Sequence, residues 1–132
     1  MHLSHYVAVG LSHNHLTASI KKIKEYRNVV YLENQVKFDA YAHRILLLVS
    51  EEFNLSIDQL KSECRLSDYK TARHIAMYII RKKYSMPIAK IGKLLNRDHS
   101  TVSYSISLVD DLLRFDKKFQ AVYYPILEKC NV

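Results

Sequence analysis

The sequence predicts an all-α fold, and three observations support this prediction. The chain has 132 residues, which is enough for one domain with its own hydrophobic core. It contains only two Gly and two Pro residues, which are too few turn residues for an all-β fold. Apolar residues recur at three- and four-residue spacing, as on the buried face of an amphipathic helix. We therefore expect a compact helical domain with short connections.

The predicted domain, residues 39–132, is preceded by two segments of different character. Residues 1–16 show no clear apolar period, and we expect them to be flexible. Residues 17–38 are expected to form an amphipathic helix and a linker. The other face of this helix is basic, with Lys21, Lys22, Lys24 and Arg27. Residues 17–30 could pack on the domain, bind a protein partner or associate with a second copy.

Six helices are predicted from Phe38 onward. They span about Phe38–Phe53, a short segment after Ser56, Tyr69–Tyr84, Ile88–Leu95, a helix starting at Asp98, and Asp116–Lys129. The pattern Ser-x-x-Gln after Leu55 predicts a capping box. Gly92 permits a close helix approach, and Pro125 is expected to kink or divide the last helix. Two helices joined by a brief turn, the second with a polar start, predict a helix-turn-helix.

The polar start of the fifth of these helices is the most informative stretch. Its apolar residues should form one buried stripe, comprising Val102, Ile106, Val109, Leu112 and Leu113. The exposed N-terminal end of the helix is then expected to carry Arg97, Asp98, His99, Ser100, Thr101 and Tyr104. An Asp at this position can simply cap the helix. Such side chains can also bond base edges and thymine methyl groups in a DNA major groove.

Positive charge is concentrated in one third of the chain. The formal net charge is +7, and Lys61 to Tyr104 holds ten basic residues against three acidic ones. The remaining residues are balanced in charge. Solvated helix surfaces usually carry both signs, so this stretch favours a polyanionic partner.

Several classes of function are disfavoured. No apolar run approaches the roughly 20 residues that span a bilayer, and no secretory signal is visible. We therefore expect a cytoplasmic protein in which Cys64 and Cys130 are free thiols. His13 and His15 lack further ligands at metal-site spacing. The sequence shows no nucleophile-base set and no phosphate-binding loop, so we expect no enzyme, no nucleotide, no metal and no other cofactor.

Three short motifs follow one another in the second half of the chain. They are Arg73-His74-Ile75-Ala76-Met77-Tyr78, Ile91-Gly92 and Arg97-Asp98-His99-Ser100-Thr101-Val102. They resemble the R-Q-I-A-M-Y, I-G and R-D-H-[ST]-T-V motifs of the C-terminal DNA-binding domain of DnaA, the bacterial replication initiator family. The segment from Phe53 to Ser62 is similar to the family's F-N-V-[ST]-x-x-x-L-K-S. The resemblance covers about residues 39 to 128.

The resemblance implies a Trp-repressor-like helix-turn-helix that binds a short asymmetric duplex site, the DnaA box, in replication initiation or its regulation. It implies base contacts from Asp98, His99, Ser100 and Thr101, to which we add Tyr104. Arg65 corresponds to the family's minor-groove residue. Phosphate contacts are expected from Lys70, Arg73, His74, Lys82, Lys83, Lys90 and Arg97. The protein would then be bacterial and associated with the nucleoid.

The chain departs from the family pattern near the expected DNA face. Leu95-Asn96 stands where the family carries Gly-Gly, in a turn that is one residue shorter. His74 replaces a Gln, Ala72 a Pro and Tyr104 a His, so the preferred DNA sequence can differ. The motif G-x-x-x-x-G-K-[ST] is absent, so we expect a stand-alone binding domain without the family's ATPase module.

Two alternatives stay open at this stage. The first is a protein-interaction or transcriptional regulatory module that uses the same fold. The second is the DNA-binding piece of a transposase-like system. Failure to bind any duplex at low salt, together with capture of a protein partner, would favour an interaction module.

Overall fold

The computed structural model describes residues 13–131, with side chains from residue 15 onward. All regular elements in this range are helices. They are α1 (His13–Glu52), α2 (Ile57–Lys61), α3 (Ser67–Tyr84), α4 (Ile88–Leu95), α5 (His99–Phe115) and α6 (Lys117–Cys130). The predicted all-α class is confirmed.

Helix α1 is longer than the sequence predicts. The linker expected before Phe38 is helical, and residues 13–16, expected to be flexible, are helical as well. The rest of that flexible segment, residues 1–12, lies outside the described range. The linker is replaced by helix because α1 contains neither Gly nor Pro, so nothing in it interrupts the backbone hydrogen bonding of a helix. The flexibility expected for residues 1–16 stays a prediction.

The chain divides into two units, residues 1–37 and 38–132. In the described part of the first unit, several large apolar side chains of α1 are exposed. They are Ile23, Tyr26, Val29, Val30, Tyr31, Leu32 and Val36. The apolar face predicted for this helix is therefore not buried within its own unit.

The second unit contains the hydrophobic core. Fully buried residues come from every helix that contributes to this unit, including Ile45 and Val49, Leu60, Ile75 and Ile79, Ile91 and Leu95, Val102 and Val109, and Ile126. Helix α3 packs against α5, and α4 packs against both. This packing leaves one end of α5 free to project its first turn.

Two sequence predictions concern the ends and continuity of helices: a capping box at Ser56, and a kink or division at Pro125, of which the kink stays a prediction. The predicted capping box is present, because the Ser56 hydroxyl accepts from Gln59 N at 3.0 Å and the Gln59 side chain accepts from Ser56 N at 2.8 Å. Helix α6 continues through Pro125 and is not divided there. Tyr123 and Ile126 are buried on either side of the proline, and this packing holds the helix together despite the lost hydrogen bond.

Candidate nucleic-acid interface

The turn between α4 and α5 is held by a close backbone contact. The Arg97 amide donates to the Gly92 carbonyl at 2.8 Å. A Cβ atom at Gly92 would lie 2.4 Å from the Arg97 carbonyl oxygen, so only glycine fits without displacing the turn. The sequence predicts a close helix approach at Gly92, but the tight contact there is made by the backbone of the turn, and the nearest atom of α5, Val102 Cγ2, lies at an ordinary 3.6 Å.

Asn96 supplies the change of direction in this turn. Its φ is 54° and its ψ is 44°, which is the left-handed region. Asparagine adopts this region more readily than other residues with a Cβ atom. This explains how a turn that lacks the family's Gly-Gly pair still closes, and it shows why Asn96 belongs to the site although sequence reasoning did not select it.

The first turn of α5 presents its polar side chains to solvent. Asp98, His99, Ser100, Thr101 and Tyr104 are all exposed, with 73% of the His99 side chain accessible. Their predicted exposure is confirmed. Hydrogen-bond donors and acceptors of several kinds are therefore available at one helix end.

Asp98 occupies the N-cap position of α5, and its side chain faces the first-turn residues His99 and Ser100. Its carboxylate accepts a hydrogen bond from the Ser100 hydroxyl and lies 3.2 Å from His99 Nδ1. The Ser100 hydrogen bond and the adjacent His99 hold the pKa of Asp98 below its usual value, so the carboxylate is charged at neutral pH.

A groove of about 520 Å³ runs beside this turn. It is lined by residues of α3, of the segment before α3, of the turn and of α5. They are Glu63, Arg65, Lys70, Arg73, His74, Met77, Asn96, Arg97, Thr101 and Ser105. Four of these are Arg or Lys and one is acidic, so the groove carries an excess of positive charge. Arg65 and Lys70 thus lie at the same groove as Thr101, as the sequence-based interpretation requires.

Arg73 is a structural residue, and the prediction that it contacts phosphate is wrong. The residue is only 5% exposed. Its guanidinium donates to the carbonyls of Leu60 at 3.3 Å and Ser62 at 3.0 Å, and also to the Cys64 carbonyl. Burial and the neighbouring Arg97 lower the pKa of Arg73. The N–H donors of Arg73 are thus used by backbone carbonyls of the protein and not by phosphates.

Arg97 is likewise committed to backbone carbonyls. Its guanidinium donates to Leu95 and Asn96 at 3.1 Å each, to Lys61 at 3.4 Å, and to Ser62. In this structure Arg97 holds the turn, and it is half-buried, where the sequence predicts an exposed residue. Its predicted phosphate contact stays a prediction. Arg97 also lines the groove, so its charge adds to the positive potential there.

His74 is held in one tautomer by its neighbours. The Ser105 hydroxyl donates to the Thr101 carbonyl at 2.9 Å, so it must accept from His74 Nδ1, which lies 2.8 Å away. Burial, Arg73 and Lys70 lower the pKa of His74, so the ring is neutral at pH 7. The predicted phosphate contact of His74 stays a prediction, and it would be made by a neutral ring.

The other predicted phosphate lysines do not line the groove. Lys82 Nζ lies 3.9 Å from Asp110, and Lys90 Nζ lies 3.0 Å from Asp39. Lys83 Nζ donates to the Cys130 carbonyl and to Asn131 Oδ1 at 3.3 Å. Phosphate contacts from these three lysines stay predictions, and they would lie away from the groove.

Other kinds of site find no support in the described residues. Residues 13–131 contain no group of three metal-ligating side chains, although the side chain of His13 falls outside the description. Within the same residues no helix is long and apolar enough to cross a membrane. Cys64 and Cys130 are free thiols, as expected.

The short turn and the exposed polar start of α5 define the class of the domain, which is a helix-turn-helix. Residues 42–109 match the family model described as the bacterial dnaA protein helix-turn-helix. The chain belongs to this family, as its motifs predict.

Similar proteins include chromosomal replication initiator proteins DnaA from several bacteria. That of Ureaplasma parvum is 35% identical over 96 residues, which cover 72% of this chain and 21% of the relative. That of Lachnoclostridium phytofermentans is 36% identical over 88 residues, which cover 66% of this chain and 19% of the relative. The chain therefore spans about a fifth of the length of the curated relatives that it matches.

Proposed function

We propose that this chain binds double-stranded DNA in a sequence-specific manner and acts in replication initiation or its regulation. The observation that carries the proposal is the position of the exposed first turn of α5 beside a basic groove. A recognition helix reads bases mainly through its N-terminal residues, and flanking basic residues hold phosphates. The matched relatives are named as replication initiators, which supports the process.

Within this proposal the exposed residues divide into two roles. Asp98, His99, Ser100, Thr101 and Tyr104 read base edges in the major groove of a short asymmetric site similar to the DnaA box. Arg65 enters the minor groove, and Lys70 binds a phosphate. The chain would act on the nucleoid as a binding module without a catalytic step of its own.

A partner for residues 17–30 stays a separate prediction. The exposed apolar side chains of this segment, Tyr26 and Val29 among them, favour a protein contact there.

Salt dependence tests the electrostatic part of the proposal. We expect duplex affinity to fall about tenfold or more between 50 and 200 mM salt, as for about two or more phosphate contacts. Lys70→Ala should weaken binding to all duplexes and reduce the slope of log affinity against log salt by about 1. Fluorescence anisotropy with a labelled duplex measures both quantities.

Lys118→Ala is a suitable control, because Lys118 is exposed on α6 and does not line the groove. It should leave the salt slope unchanged. A wild-type affinity that does not respond to salt, or a Lys70 variant with an unchanged slope, would contradict the phosphate role.

A further inference from the structure

Two guanidinium groups converge on one backbone carbonyl beside the groove. Arg73 Nη1 donates to the Ser62 carbonyl oxygen at 3.0 Å, and Arg97 Nη2 donates to the same oxygen. Arg73 belongs to α3, whereas Arg97 belongs to the turn before α5. The Ser62 carbonyl is thereby tied to both parts of the molecule at once.

The remaining donors of the two groups hold neighbouring carbonyls. Arg73 also bonds the carbonyls of Leu60 and Cys64, and Arg97 also bonds that of Lys61. These carbonyls belong to the C-terminal end of α2 and to the segment after it, where a helix leaves its last carbonyls without internal partners. The planar guanidinium fork can bond several carbonyls in one geometry, which a lysine ammonium cannot reproduce.

The segment held in this way leads directly to Arg65. Cys64, whose carbonyl is bonded by Arg73, is the residue before Arg65, and Arg65 lines the same groove as Thr101. A loop that is already ordered loses less conformational entropy when it binds. Fixing the carbonyls before Arg65 therefore fixes the distance between Arg65 and the start of α5.

We propose that Arg73 and Arg97 are positioning residues that clamp the segment 62–65 to the turn before α5. The clamp lets Arg65 and the first turn of α5 meet one duplex in a single register. This inference rests on the proposed function, but it requires neither guanidinium to touch DNA. Within residues 13–131 neither group forms a salt bridge, so both charges also add to the positive potential of the groove.

A double-mutant cycle tests the clamp. Arg73→Lys keeps the charge and removes the fork. In the wild-type background, Arg65→Ala should lower affinity for the preferred duplex about tenfold. In the Arg73→Lys background, the same substitution should lower this affinity less than about twofold. His99→Ala should cost the same factor in both backgrounds, because Arg73 bonds the segment before Arg65 and not the first turn of α5.

Arg81→Lys is the matched control. Arg81 also lies on α3 and donates to a backbone carbonyl, that of Met86, at 2.7 Å, but it does not line the groove. It should leave the factor for Arg65→Ala at its wild-type value. Thermal unfolding of each variant establishes that binding is compared between folded proteins. If Arg73→Lys does not fold, Arg97→Lys, at a half-buried position, replaces it. Only the factor for Arg65→Ala is then compared, because Arg97 also bonds the turn before His99.

The outcomes separate the clamp from the proposed function. Equal factors for Arg65→Ala in the wild-type and Arg73→Lys backgrounds would overturn the clamp while leaving DNA binding intact. An Arg65→Ala variant that binds the preferred duplex as well as the wild type would also overturn it. A wild-type protein that does not discriminate between duplexes would instead refute the proposed function.

Discussion

Replacing Gly92 by Ala is expected to lower the free energy of unfolding by about 2 kcal/mol, which corresponds to roughly 10 °C in Tm. The added Cβ would lie 2.4 Å from the carbonyl oxygen of Arg97. The Cβ is fixed to the Cα atom and the oxygen belongs to the backbone, so no side-chain rotation can separate them. The better helix propensity of Ala recovers only about 1 kcal/mol. Thermal and denaturant unfolding measure the difference.

The same substitution should weaken sequence-specific DNA binding in the fraction that remains folded. Asp98 and His99 directly follow the turn that the Cβ atom displaces, so their geometry changes with it. Lys118→Ala, on the exposed side of α6, should change stability by less than about 0.5 kcal/mol. A Gly92→Ala protein as stable as the wild type would show that the contact at this turn is not tight.

Replacing His99 by Ala is expected to remove about 1–3 kcal/mol from binding to the preferred duplex, which is roughly a 5- to 150-fold loss in affinity. Affinity for random duplex should stay nearly unchanged, because His99 is proposed to contact a base and not a phosphate. Its side chain is 73% exposed, so the folded domain loses little by its removal. Titration of the same protein against both duplexes gives the two affinities.

His43→Ala provides the control for this measurement. His43 is an exposed histidine of α1 that does not line the groove, so its loss should change neither affinity. Equal losses on both duplexes for His99→Ala would contradict base contact by His99.

The helix-turn-helix and its exposed first turn could be predicted from local sequence. The apolar spacing assigns Val102 and Val109 to the core, and both are fully buried. The polar residues at the helix start then face solvent, because they do not belong to the buried stripe. Helix periodicity depends only on neighbours along the chain, and this explains why the prediction succeeded.

The roles of Arg73 and Arg97 could not be predicted in the same way. Their charge is visible in the sequence, but their partners are carbonyls that precede Arg73 by 9 to 13 residues and precede Arg97 by up to 36. Whether a guanidinium faces phosphate or such carbonyls depends on the path of the segment between α2 and α3. That path is set by tertiary packing, so a basic motif residue was mistaken for a DNA contact.

The continuous α1 is a different kind of error. The apolar period from Leu16 to Val30 and the second one from Phe38 were interpreted as two helices, with a linker before Phe38. A gap between two apolar patterns does not end a helix when no residue interrupts its hydrogen bonds. The breakers Gly and Pro, both absent from α1, were the more informative signal at this position.

Selection of bound duplexes from a random library by the wild-type chain tests base reading most directly. We expect enrichment of one short asymmetric sequence, because the exposed residues of a single α5 start offer one set of donors and acceptors. A chain that binds DNA in this experiment but enriches no sequence would contradict base reading by Asp98, His99 and their neighbours.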